Sequence, residues 1–345
     1  MTGPESYLSM SRSAQKRILE EGAAHLALPE YQVEKDIWIA WILQTIFESG
    51  LRDQITFKGG TSLSKVYGII DRFSEDVDLS YDIRRILPKK PTGDEGLPPT
   101  ISQAGKWSKA IWEKLPGWID NEVKPLFEGT KGNATGYVGT RLEGKQNEKL
   151  VVEYRPHFNT PGYMKPEVCI EFGARSTGEP HELGSVGCVL APIFPHISFP
   201  QAKTRVLMME RTFWEKATAI HVFCQQGELR RDRLFRHWYD LHALAKQGRI
   251  LGSLSDKSWL EQVVRHKSMF FREKGRDGLE IDLKECQAGN LRLTPDDKML
   301  EMLRAEYENM ISLGMFRPAA PGFEEIMAGC VEMELKVNEL YSLHP

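Results

Sequence analysis

Cysteine is scarce in this chain of 345 residues. The five, Cys169, Cys188, Cys224, Cys286 and Cys330, are odd in number, scattered and without a C-x-x-C pair. That excludes a disulfide frame and argues against a structural zinc site; it suits the reducing cytosol. Long apolar runs are missing too: no stretch of about 18 apolar residues occurs, so no membrane-spanning helix is expected. The opening residues MTGPESYLSM lack a basic region followed by an apolar one, and the protein is expected to be cytoplasmic. Charge of one sign is nearly absent as an excess. A net −3 gives no overall pull toward nucleic acid, so an RNA partner would have to be met by a local basic surface. What remains, 41% hydrophobic and 27% charged residues, is an ordinary globular composition long enough for a sizeable core and two lobes.

The stretch that carries chemistry is FKGGTSLSKVYGIIDRFSEDVDLSYD, residues 57–82. The apolar run Ile55-Thr56-Phe57 suits a buried strand, and it breaks at Gly59-Gly60, where the backbone can turn sharply and come close to a ligand. Leu63, Val66, Tyr67 and Ile70 then recur at helical spacing, predicting a helix of about three turns. Thr61 and Ser62 sit at its start, where free N–H groups favour a phosphate. After a turn over Asp71–Glu75, Asp76-Val77-Asp78-Leu79-Ser80-Tyr81 alternates as a strand. Its period of two puts Asp76 and Asp78 on one face, positioned to share a hard cation, with Val77 and Leu79 in the core. A phosphate cradle beside paired carboxylates points to metal-dependent transfer of a phosphoryl or nucleotidyl group.

Elsewhere the residues alone say less. Helices are expected before residue 54, one capped by Ser13 and one starting at Pro29, with Glu34, Lys35 and Asp36 as a solvated charged face. Residues 88–100 read as an exposed loop, 101–128 as a helix broken at Pro116-Gly117, and 129–147 as loop or weak hairpin. KLVVEYRP (149–156) and PEVCIEFGARS (166–176) read as strands. Glu171 is central in an apolar strand, which is costly unless it is hydrogen-bonded or on a metal; Glu153, in VVEY, is its rival. Residues 177–203 read as a linking loop, and helices follow from residue 204. On the residues alone, Lys216 and Asp240 are a partly buried ion pair tying two of those helices. Arg230, Arg231, Arg233 and Arg236 form the densest basic cluster.

Gly-Gly-(Thr/Ser), a helix, then Asp-x-Asp on a strand resembles the pattern of the DNA polymerase beta-like nucleotidyltransferases. KGGTSLSK followed by RFSEDVDLS is similar, more narrowly, to the AbiEii/AbiGii-type nucleotidyltransferase toxins of bacterial toxin–antitoxin systems, which include the MenT toxins. VEKDIWIAWILQTIF, IEFGAR, ERTFWEKATA, RHWYDLHAL and HKSMFF extend the resemblance over most of the chain. It implies a mixed α/β nucleotidyltransferase core, about residues 1–203, and a helical C-terminal lobe, 204–345, with the active site in the cleft between them. It further implies that an acceptor hydroxyl attacks the α-phosphate of an NTP, with two Mg²⁺ held by Asp76, Asp78 and Glu171. Gly59, Gly60, Thr61 and Ser62 would cradle the phosphates, with Lys65 and Lys216 as cationic partners, Lys58 as a further candidate, Asp240 as an orienting carboxylate and Arg175 as a phosphate or structural partner. By the same resemblance the acceptor is a tRNA end, translation is inhibited, and a separately encoded antitoxin counteracts the toxin. Nucleotidylation of a protein hydroxyl, kinase-like transfer, and a non-catalytic nucleotide- or RNA-binding regulator are the alternatives.

If RNA runs past the arginine cluster, Arg230→Glu with Arg233→Glu is expected to weaken RNA binding and flatten its salt dependence, because fewer counterions are released. NTP affinity should hold, since the cradle is at Gly59–Ser62. Binding titrations over a salt series check this; an unchanged salt slope takes the cluster off the RNA path.

Overall fold

The computed structural model describes residues 5–87, 96–129, 134–160, 164–227, 234–317 and 319–342. Two compact units emerge: Met1–Tyr67 with Ser74–Gly96 and Lys106–Val206, and Gly68–Phe73 with Leu97–Gly105 and Leu207–Pro345. Of the arginine cluster only Arg236 is described, and the loop expected over 88–100 lies mostly outside the described residues.

The first unit is built on a mixed sheet. Its strands are β2 (Ile55–Lys58), β3 (Val77–Asp82), β4 (Tyr137–Glu143), β5 (Lys149–Tyr154), β6 (Glu167–Ser176), β7 (His181–Gly187) and β9 (Gln201–Leu207), in the order β4-β5-β6-β3-β2-β9-β7. Short β1 (Glu5–Ser6) and β8 (Ile197–Ser198) pair separately. β3 runs antiparallel to β2 and parallel to β6. The alternation read from 166–176 is borne out: Val168, Ile170, Phe172 and Ala174 of β6 are buried, and Cys169, Glu171 and Gly173 between them are half-exposed. One face is therefore apolar and the other polar. Residues 177–203, expected as a loop, instead supply β7, β8 and the start of β9; their Gly and Pro residues obscure the strand pattern.

Helices α1 (Arg12–Leu26), α2 (Glu30–Phe47), α3 (Gly59–Lys65), α4 (Ile83–Ile86), α5 (Ile101–Trp118) and α6 (Lys124–Glu128) accompany the sheet in the chain. Trp38 of α2 stacks on Tyr154, and Trp118 of α5 stacks on Tyr81 and meets Phe172 edge-on, which covers the apolar face. Ser11, rather than Ser13, caps α1, accepting from the Ala14 N–H. Pro116 does not break α5: the helix passes through it and widens into a π turn at Ile119–Val123 before α6. The second unit is helical: α7 (Met209–Gln226), α8 (Arg236–Ala245), α9 (Gly248–Ser253), α10 (Ser258–Phe270), α11 (Asp297–Ser312) and α12 (Phe323–Ser342).

The solvated face expected over residues 34–36 is overturned. Consecutive residues on a helix lie about 100° apart, so these three cannot share one face, and α2 is buried nearly all round. Glu34 and Lys35 are only 3% and 2% exposed. Glu34 accepts from the His157 N–H at 3.1 Å, Lys35 pairs with Glu75 at 3.2 Å, and Asp36 pairs with Lys65. Burial pushes the Glu34 carboxyl up from 4.5 to about 7, against the pull of the His157 N–H and Arg12. Burial, with Arg12 and Lys16, pushes the His157 ring from 6.5 down to about 4.

The folded protein holds a proton on Glu34 that the unfolded chain has released, so this group's stability contribution falls as pH rises from 4.5 through about 7. His157 acts oppositely, since the folded ring refuses a proton between about 4 and 6.5, and the two largely offset until Glu34 stands alone. Glu34→Gln keeps an acceptor and removes the titration. Its stability relative to wild type is expected to improve between pH 5 and pH 8, by on the order of 2–3 kcal/mol at about 1.4 kcal/mol per unit. Urea unfolding at the two pH values measures the difference.

Candidate active site

The polar face of the sheet gathers the candidate residues of the first unit. Register sets Lys58 opposite Asp78 across β2 and β3, Asp78 beside Glu171 across β3 and β6, and Lys149 opposite Glu171 across β5 and β6. Directly paired residues project to the same side of a sheet, so these side chains share a face. Glu153 is opposite Glu167 instead, and Arg141 bridges those two carboxylates. Register thus aligns Glu171, and not Glu153, with Asp78. Asp76 precedes β3 rather than lying in it.

Gly59 connects β2 to α3 with φ +79°, and a Cβ there would run into the Asp78 carboxylate. Backbone geometry and close approach both require glycine at this position. The helix that follows is shorter than the apolar spacing predicts. It ends at Lys65, and Gly68, with φ +62°, turns the chain away before Ile70 can continue the stripe.

Several residues expected to touch phosphate are occupied otherwise. The buried Thr61 hydroxyl donates to the Asp76 carbonyl and lies 2.8 Å from the Ser74 hydroxyl, while the Ser62 hydroxyl donates to the Gly59 carbonyl at 2.8 Å. These side chains brace the turn; the Gly59-Gly60 backbone is what remains for a phosphate. Lys65 is ion-paired with Asp36 and donates to the Gly187 carbonyl at 2.9 Å, so it is tied into the fold. Lys58, beside Asp78, is the better-placed cation of the two. Arg175 lies 5.5 Å from the Trp112 ring centroid, and burial lowers its pKa, which fits a structural cation.

Carboxylate oxygens are what Mg²⁺ prefers, and Asp78 and Glu171 are neighbours. As placed, however, Glu171 is ion-paired with Lys149, whose ammonium also interacts electrostatically with Asp76 and Cys169. Among the described residues no group of three His, Cys, Asp or Glu side chains converges as a metal-holding set.

Lys216 of α7 and Asp240 of α8 meet within the second unit, with Nζ 2.7 Å from Oδ2. A third partner was not foreseen: Arg72 donates from Nε and Nη2 to the two Asp240 oxygens, each at 2.7 Å. Asp240 is 0% exposed. Burial by itself raises its pKa, but Arg72 and Lys216 outweigh that and hold the carboxyl well below the usual range. With both oxygens occupied, Asp240 is an anchor for cations rather than a proton acceptor. The signal for Arg72 was its place in RFSEDVDLS; nothing local says which carboxylate it meets.

The model of a known family, the AbiEii nucleotidyl transferase toxins of type IV toxin–antitoxin systems, matches residues 41–329. Among solved structures, MenT4, a nucleotidyltransferase toxin from Mycobacterium tuberculosis H37Rv, is similar with a TM-score of 0.40 and 16% identity, covering 95% of this chain and 98% of that one. Among curated proteins, none matches.

Removing one partner of a buried ion pair strands the other charge, at roughly 3–5 kcal/mol. Arg72→Met strands Asp240 more completely than Lys216→Met does, because Arg72 makes two of the bonds and Lys216 is partly exposed. Arg72→Met is therefore expected to destabilise by about 3 kcal/mol or more, and Lys216→Met by about 1 kcal/mol while turnover collapses. Denaturant unfolding and nucleotide-transfer assays on both variants check the contrast.

Proposed function

Because the chain belongs to the AbiEii nucleotidyl transferase toxin family of type IV toxin–antitoxin systems, we propose that it moves a nucleoside monophosphate from an NTP to the 3′ end of a tRNA, so inhibiting translation in the cytoplasm until its antitoxin counteracts it. The observation that carries this reading is the Asp78 carboxylate packed against the bare backbone of Gly59, with Glu171 in register beside it. A carboxylate that can hold a cation next to a turn that can admit a phosphate is the arrangement nucleotidyl transfer needs.

Asp76 and Asp78, joined by Glu171, would hold two Mg²⁺ ions, which when bound neutralise the polyphosphate and polarise the α-phosphate. Gly59 and Gly60 let the phosphates approach the backbone without a side chain in the way. Lys58 supplies positive charge beside Asp78, and by the resemblance of ERTFWEKATA and RHWYDLHAL to the family, Lys216, held by Asp240, is assigned to the charge that builds on departing pyrophosphate. Thr61 and Ser62 act one step removed, through the shape of the turn they brace. No helix among the described residues is long and apolar enough to cross a membrane.

Incubation with each labelled NTP, Mg²⁺ and total cellular RNA or protein, resolved on gels, tests the reaction. Label on small RNA with release of pyrophosphate is expected; label on protein, or a nucleoside diphosphate product, would replace the proposed acceptor or chemistry. Asp76→Ala and Asp78→Ala are each expected to lower transfer by about a hundredfold or more with the fold retained. Substantial transfer by both would sink the assignment.

A further inference from the structure

Among the described residues, Lys149 is a cation of the polar face that is ion-paired with a candidate metal ligand. Its backbone is paired with that of Glu171, its ammonium forms an ion pair with the Glu171 carboxylate, and it interacts electrostatically with Asp76. Glu171 is in turn the register neighbour of Asp78. The ammonium therefore lies against the oxygens that a divalent cation would take. Both side chains of the ion pair are partly exposed, at 32% for Lys149 and 42% for Glu171, so the lysine has solvent into which it can withdraw.

We infer that Lys149 is a positioning residue that serves as a built-in competitor for the metal, holding Glu171 until a divalent cation displaces it and so setting the cation concentration at which the site assembles. This rests on the metal site proposed for Asp76, Asp78 and Glu171. An ammonium and a divalent ion cannot share one carboxylate without mutual repulsion, so cation entry and release of Lys149 are one exchange. The exchange is of modest size because the pair is partly exposed, which is what a reversible threshold requires.

Mn²⁺ binding to the purified full-length protein, followed by the paramagnetic resonance of free Mn²⁺ at low salt, tests this without any turnover. Lys149→Met is expected to bind Mn²⁺ about five- to tenfold more tightly than wild type, and Lys149→Arg to stay near wild type. Adding Glu171→Gln to Lys149→Met should abolish the gain, since the released carboxylate is what supplies it. Unchanged or weaker binding by Lys149→Met, in a variant whose circular dichroism matches wild type, overturns the inference. Asp78→Ala distinguishes that result from failure of the metal site itself: if it binds Mn²⁺ as wild type does, no cation is held there and the site assignment falls too.

Discussion

A carboxylate with no access to water is tolerable only if cations and donors surround it, and Asp240 meets that condition through two neighbours brought from far apart in the chain. Arg72 takes both oxygens in the paired geometry that a guanidinium allows and an ammonium does not, while Lys216 approaches one of them. The short segment Gly68–Phe73 accordingly clusters with the helical unit, although the chain on both sides of it belongs to the sheet unit. Asp76 follows Arg72 by only four residues.

In the sheet unit the organising constraint is register. Strand alternation decides which residues are polar-facing, and pairing decides which of them become neighbours. Lys58, Asp78, Glu171 and Lys149 form one transverse row across four strands, two anions flanked on either side by a cation. The two central anions are the costly part of that row; Lys149 compensates one of them, and Gly59 gives the other room.

Much of this was legible in the residues, and the failures have definite causes. β6 was readable because its period of two is unbroken, and the Gly-Gly turn followed by Asp-x-Asp was readable because glycine and paired carboxylates have few joint uses. The length of α3 was misread because Val66, Tyr67 and Ile70 keep helical spacing beyond the point where Gly68 reverses the backbone. Glu34, Lys35 and Asp36 were misread because charge suggests solvent, whereas each has a partner supplied from elsewhere: His157, Glu75 and Lys65. Lys65 looked free for phosphate for the same reason.

By itself the sequence determined the mixed α/β class, the family, the glycine turn, and the face on which Asp78 and Glu171 each stand, because dihedral preferences and side-chain periodicity act over a few neighbouring residues. Only the tertiary structure decided the partners: that Glu171 rather than Glu153 aligns with Asp78, that Lys149 holds Glu171, that Asp36 claims Lys65, and that Arg72 binds Asp240. Each of those pairings closes a loop between distant residues, and which charge meets which is set by strand order and helix packing, quantities that no local stretch of chain contains.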